Sequence, residues 1–192
     1  MTDPRYKKLA SLLVNYSTEI KKGDCALLDM IDVPDEFSLE LMRAVRAAGG
    51  IPFIEVRHTR ISREIVQATE PRHAALLRDL ELHRMKKMQA YIAIRGSGNA
   101  SENSDVPGDR MQLYSRVLRP VLNYRVNHTR WCVLRWPTPS MAQAAGRAPR
   151  RSRICISTSA PWITPKWAGR WAPWKSGCKR RTVSTSKARA QT

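Results

Sequence analysis

Apolar positions in the first three quarters of the chain switch repeatedly between helical and strand-like spacing. Leu9, Leu12, Leu13 and Tyr16 recur at the helical interval and predict an amphipathic helix over residues 4–19. After the turn Lys21–Asp24, the run Cys25–Ile31 is short and mostly apolar, as expected of a strand covered on both faces. Asp35 and Glu36 then place negative charge at a helix start, Phe37, Leu41, Ala44, Val45 and Ala48 form its inner stripe, and Gly49-Gly50 stops it. A second strand is predicted over Ile51–Val56, with Pro52 at its beginning, where a missing N–H matters least. A short helix near residues 62–68 comes next. Pro71 opens a longer one to about Met88, whose inner side is read as Leu76, Leu77, Leu80 and Met88. Ala90–Ile94 is a third strand, followed by a polar loop over residues 96–108 and a helix carrying Met111, Tyr114, Leu118 and Leu122. Arg130–Arg135 is a fourth strand, closed by Trp136-Pro137-Thr138-Pro139. Strands alternating with helices in this way predict an α/β fold, Rossmann-like or flavodoxin-like, with a parallel sheet and helices on its faces.

After Gly146 the pattern ends. Residues 147–192 mix Ser, Thr, Arg and Pro with Trp162, Trp167, Trp171 and Trp174 in neither period. With so few aliphatic residues to offset the entropy of ordering, this tail is expected to be disordered. The expected organisation is thus one α/β domain over residues 1–146 and a basic tail.

Charge separates the same two parts. The 34 Lys and Arg against 16 Asp and Glu give a net +18, which by itself suggests a nucleic-acid partner. Twelve of the basic residues lie from Arg147 onward, where there is no acid at all. The other 22 against 16 acids leave +6, ordinary for a globular domain. Basic residues interleaved with tryptophans resemble a stacking, phosphate-binding surface, yet the segment lacks any period, so nucleic acid is expected to bind it only non-specifically. Cys25, Cys132, Cys155 and Cys178 show no C-x-x-C spacing and predict unpaired thiols. No apolar run approaches the roughly 18 residues of a membrane span, and charges near the start leave no room for a signal peptide, so a cytoplasmic setting is expected.

Candidate chemistry is sparse. Gly96-Ser97-Gly98-Asn99 follows a predicted strand, where α/β folds place ligand loops, but the third glycine and the prompt helix of a dinucleotide fingerprint are missing. A nucleotide held there would make the chain a free-standing flavodoxin-like ligand domain; otherwise the segment is a plain loop. Asp29 and Asp32 flank the end of the first strand and either face the crevice or cap the next helix. His73 and His83 are ten residues apart, which takes them off a common helix face. His58 stands at a strand end. His128 and Cys132 would share a face only if the stretch between them were a strand, and two ligands are half a metal site.

The stretch Tyr91–Pro107 followed by Arg125–Gln143, with Leu9–Ser17 and Lys22-Gly23-Asp24, resembles the amino-terminal domain of the thermophilic-type metallo-aminopeptidases, the aminopeptidase T and aminopeptidase S group. The resemblance covers residues 1–146. In that family the pattern continues with Met-Ser-Thr-Glu and an acidic, aromatic-rich stretch, whereas this chain continues Arg147-Ala-Pro-Arg-Arg. Loss of one nucleotide just after Gly146 would account for the departure, because the shifted codons of residues 147–154 permit Ser-Thr-Glu-Ala-Phe-Glu-Asp. The resemblance implies peptide substrates, a possible homodimer, and a separate catalytic domain. There, two divalent metals of zinc, cobalt or manganese type activate a water and polarise the scissile carbonyl. Its metal ligands lie beyond the resemblance, so no catalytic or metal residue is assigned here, and the chain alone is expected to be inactive.

Overall fold

A computed structural model describes residues 3–96, 98, 99 and 101–140. Residues 147–192, to which the tail expectations apply, lie outside the described residues, as do Cys155 and Cys178.

Among the described residues the alternation read from the sequence becomes four parallel strands and five α-helices. They run in the order α1 (Pro4–Leu12), β1 (Cys25–Ile31), α2 (Asp35–Ala47), β2 (Ile51–Arg57), α3 (Thr59–Gln67), α4 (Pro71–Lys86), β3 (Ala90–Arg95), α5 (Gly108–His128) and β4 (Arg130–Arg135). The strands are ordered β2-β1-β3-β4. In register, Leu28 lies between Ile54 and Ile92, and Ala93 beside Val133. The first helix is shorter than predicted, since its final turn widens into a π-helical turn at Leu13–Ser17. Thr18 closes that turn, its N–H and hydroxyl both bonding the Leu13 carbonyl at 3.0 and 2.9 Å.

Side chains alternate across the sheet as the strand period requires. On one face Leu28, Met30, Ile92 and Ile94 meet α1 and α2 through Val14, Phe37 and other fully buried residues. On the other, Leu27, Tyr91 and Ala93 meet Met85 of α4 and Val121 of α5. The stripe Phe37, Leu41 and Val45 is buried as predicted. So is the stop: Gly49 has φ +82, and the amides of Gly49 and Gly50 bond back to the carbonyls of Arg46 and Val45 at 2.9 and 3.0 Å, the Schellman pattern.

One predicted face is right only in part. In α4 the buried residues are Ala74 and Met85, whereas Leu76 and Leu80 stand outward, 60% and 62% exposed. Of the four apolar residues read as the inner stripe, Met88 is buried and Leu77 half-buried, but Met85 takes the inner position within the helix and Leu76 and Leu80 are turned out. Strand β2 is also unlike β1, because it is an edge, and its residues are half-buried or exposed.

Candidate functional site

A parallel sheet ordered β2-β1-β3-β4 reverses direction between β1 and β3. Connections leave those two strands in opposite senses, so their carboxyl ends open a crevice of the kind where α/β folds bind ligands. A cleft of about 680 Å³ lies there. Tyr6, Pro34, Trp136 and Pro137 supply apolar wall, and Asp32, His58, Arg60, Asn99 and Glu102 supply polar groups.

Two residues at the strand ends shape the crevice. The Gly96 amide donates to the Ile31 carbonyl at 2.7 Å, and a Cβ at position 96 would stand 2.4 Å from the Asp32 carbonyl oxygen. Gly96 therefore lets β3 approach the end of β1. Asp32 sits at φ +49, the left-handed region that a non-glycine residue occupies at a cost. There its carboxylate accepts from the Thr59 amide at 3.1 Å and from the Thr59 hydroxyl, and it lies 3.3 Å from His58 Nδ1. Asp32 thus fastens the start of α3. The capping expectation holds in kind but not in place, for the helix secured is not α2, the next one. Through this contact the carboxylate also steadies His58, whose side chain is 61% exposed beside the cleft.

The loop after β3 is organised by its own side chains. Asn99 Oδ1 accepts from the Ser101 amide at 3.0 Å, and its Nδ2 donates to Glu102 at 3.1 Å. Gly98 and Asn99 line the cleft, as their position after a strand suggested, and Ser97 lies outside the described residues. Tyr6, Arg60, Glu102 and Trp136 join them without having been singled out. The Trp-Pro closing β4 was a legible signal for one of these. Tyr6 carried none, because it arrives from α1 by packing on Phe37 and Trp136, both ring centroids 5.6 Å away.

Asp29 does not face this crevice. It is buried beneath the opposite face of the sheet, its side chain 3% exposed, where Arg57 grips both oxygens at 2.6 Å and the Tyr91 hydroxyl donates at 2.6 Å. Burial alone would raise the carboxyl, but the hydrogen bonds and charge of Arg57, with help from Tyr91, outweigh it and hold Asp29 below the usual carboxylate range. The Tyr91 phenol is pushed up by burial and by the Asp29 charge. Arg125 stacks over its ring at 3.8 Å. The whole is a structural clamp joining β1, β2, β3 and α5.

The remaining candidates do not converge. His73 and His83 lie on the exposed side of α4. His128 is the last residue of α5, its ring 4.5 Å from that of Tyr124, while Cys132 lies in β4, so the shared strand face that would have paired them does not exist. Cys25 and Cys132 are free thiols, and burial pushes Cys132 up. Among the described residues no group of three or more His, Cys, Asp and Glu could hold a metal ion. No described helix is long and apolar enough to cross a membrane.

Fold and crevice together define a parallel α/β domain with a polar-floored, aromatic-walled cleft at its topological switch point. The family model for thermophilic metalloproteases (M29) matches residues 2–181, and the chain belongs to that family, the aminopeptidase family that its sequence resembles. The matched stretch runs past Gly146 into the basic tail. Among solved structures the chain is similar to wild-type AmpT from Thermus thermophilus, with a TM-score of 0.65 and 16% identity. That likeness covers 90% of this chain but only 45% of AmpT, so the chain spans less than half the length of the structure it matches. At this identity the likeness speaks for the fold. No curated protein matches the chain.

Proposed function

We propose that this chain is the amino-terminal half of a metal-dependent aminopeptidase and that it does not hydrolyse peptides alone. The observation that carries the reading is the family match together with coverage of 45% of AmpT, which leaves room for a second domain as large as this one. The two divalent metals implied by the family, of zinc, cobalt or manganese type, are assigned to that second domain. The described residues do not fit a catalytic metal site, because no three candidate ligands come together among them, and no step is derived through one. The half-domain's own contribution is a rigid sheet that presents the crevice, where Asp32, Thr59 and His58 are held in one geometry beside Tyr6 and Trp136. Peptide substrates of the whole enzyme and a cytoplasmic setting belong to the same reading.

Residues 147–192 are read as translated out of frame. Their twelve basic residues without one acid support this, and the family match reaching residue 181 stands against it, since a shifted frame has no reason to keep a family's pattern. The nucleotide sequence across codon 146 decides. A single restored base should yield an acidic, aromatic-rich continuation that leads into a metal-ligand-bearing domain. A restored frame that soon meets stop codons, or one with no such domain, would remove this part of the account. No observation favours the nucleic-acid reading, whose residues lie outside the described ones.

A further inference from the structure

Two opposite charges line the crevice without pairing to each other. Arg60 is exposed, and among the described residues it makes no hydrogen bond or ion pair. Its place is an unfavourable one, the first turn of α3, where the helix dipole disfavours a cation and no acid is present to offset it. Glu102 is half-buried and receives one hydrogen bond, from Asn99 Nδ2 at 3.1 Å, which leaves its second oxygen open. The cation nearest to it, Arg63, is engaged by Asp105 at 3.0 Å and Glu64 at 2.9 Å.

The other acid of the cleft is already engaged. One Asp32 oxygen receives the Thr59 amide and hydroxyl and the other faces His58 Nδ1, so this carboxylate organises the floor and Glu102 is the acid left to meet a ligand. An aromatic wall stands beside the charges. Tyr6 and Trp136 are half-buried, with ring centroids 5.6 and 4.8 Å from that of Phe37, and both line the cleft. A volume of about 680 Å³ with an apolar wall and a few polar groups is the make-up of a small-molecule site.

Phosphate-bearing ligands suit this arrangement poorly. Nucleotide-binding α/β folds hold phosphate at the start of the helix after the first strand, and here that helix, α2, opens with Asp35 and Glu36. A free cation, an open carboxylate oxygen and an aromatic wall around one cleft match a different chemistry: a carboxylate, an ammonium and an aromatic ring carried by one small molecule. We propose that the crevice binds a free aromatic α-amino acid, with its carboxylate on Arg60, its ammonium on Glu102 and its ring against Tyr6 and Trp136. All four residues belong to this domain, so binding does not depend on a downstream catalytic half and is tested separately from the aminopeptidase reading.

The full 192-residue chain is titrated with L-phenylalanine by calorimetry and by amide-resolved NMR. Binding in the millimolar range or tighter is expected, with shifts at the Thr59, Arg60 and Asn99 amides. L-phenylalanine amide lacks the carboxylate, N-acetyl-L-phenylalanine the ammonium and L-alanine the ring, and each should bind at least about tenfold more weakly, the scale of one charge-assisted hydrogen bond. Arg60→Gln should weaken L-phenylalanine by about tenfold and leave the amide form unchanged, whereas Glu102→Gln should weaken it likewise and leave the N-acetyl form unchanged. Neither side chain lies in the core, and the paired ligands separate a lost contact from a disturbed fold. Should either variant fail to fold, the ligand series on the unaltered chain still decides. No binding of L-phenylalanine, a capped form held as tightly as the parent, shifts confined to residues away from the crevice, or adenosine monophosphate bound in preference would overturn the proposal.

Discussion

Replacing Arg57 with methionine should expose how the sheet tolerates a buried carboxylate. Asp29 is 3% exposed and receives both of its strongest partners, Arg57 at 2.6 Å and Tyr91 at 2.6 Å, from neighbouring strands. Removing one member of such a buried pair typically costs 3–5 kcal/mol, because the remaining charge keeps its desolvation penalty without compensation. Arg57 is itself a third exposed and Arg95 remains 4.0 Å from the carboxylate, which places the expected loss near the lower end, about 3 kcal/mol. With a urea slope of about 2 kcal/mol/M, the unfolding midpoint should fall by roughly 1.5 M.

Acid should narrow that gap. In the wild type the Asp29 carboxyl is held low, so its contribution is complete above the unfolded value near 4 and is lost as pH falls. In the variant burial acts without its main opponent and the carboxyl rises above its unfolded value, so the penalty is full at neutral pH and fades on acidification. Urea titrations followed by tryptophan fluorescence between about pH 7 and pH 4 measure both trends. Adding Asp29→Asn to Arg57→Met should restore part of the stability, since the orphaned charge is gone. A single-variant loss below about 0.5 kcal/mol, or a loss that grows on acidification, would refute the reasoning.

Three further outcomes follow from the site geometry. Gly96→Ala should cost about 1–3 kcal/mol, read as a lowered melting temperature, because its Cβ would meet the Asp32 carbonyl oxygen at 2.4 Å. Asp32→Ala should cost about 1 kcal/mol and loosen the start of α3, with faster amide exchange at Thr59, whereas Asp32→Asn should retain most of the stability because asparagine tolerates the left-handed backbone. Tyr91→Phe should lose about 1.5–3 kcal/mol in chemical denaturation, the worth of a hydrogen bond to a charged group, and leave the fold unchanged by circular dichroism.

Strand β4 was legible to the residue, with Trp136-Pro137 closing its ladder. Helix α2 was legible too, since its stripe and its Gly-Gly stop are local signals. What a sequence does not carry is which strand becomes an edge. Ile51–Val56 reads as a strand, but only the order β2-β1-β3-β4 makes it an edge; Leu76 and Leu80 read as core, although the helix turns them away. The crevice was half visible. Gly98 and Asn99 were marked by their place after a strand, but Gly96 serves close packing of β3 on β1, and Asp32 reaches forward to Thr59, past the helix it precedes. Tyr6 and Trp136 meet in the cleft across 130 positions of sequence, a pairing that no local pattern encodes.

The central claim, that this chain is a family member without the catalytic half, is tested most directly by peptidase activity. The purified 192-residue chain, given zinc, cobalt or manganese in turn, is assayed on a panel of aminoacyl chromogenic substrates beside a metal-free blank. The account predicts no release above the blank with any metal, and activity only in a frame-restored gene product that carries the downstream domain. Metal-dependent release that co-purifies with the 192-residue chain through successive columns, and that is abolished by chelation, would contradict it.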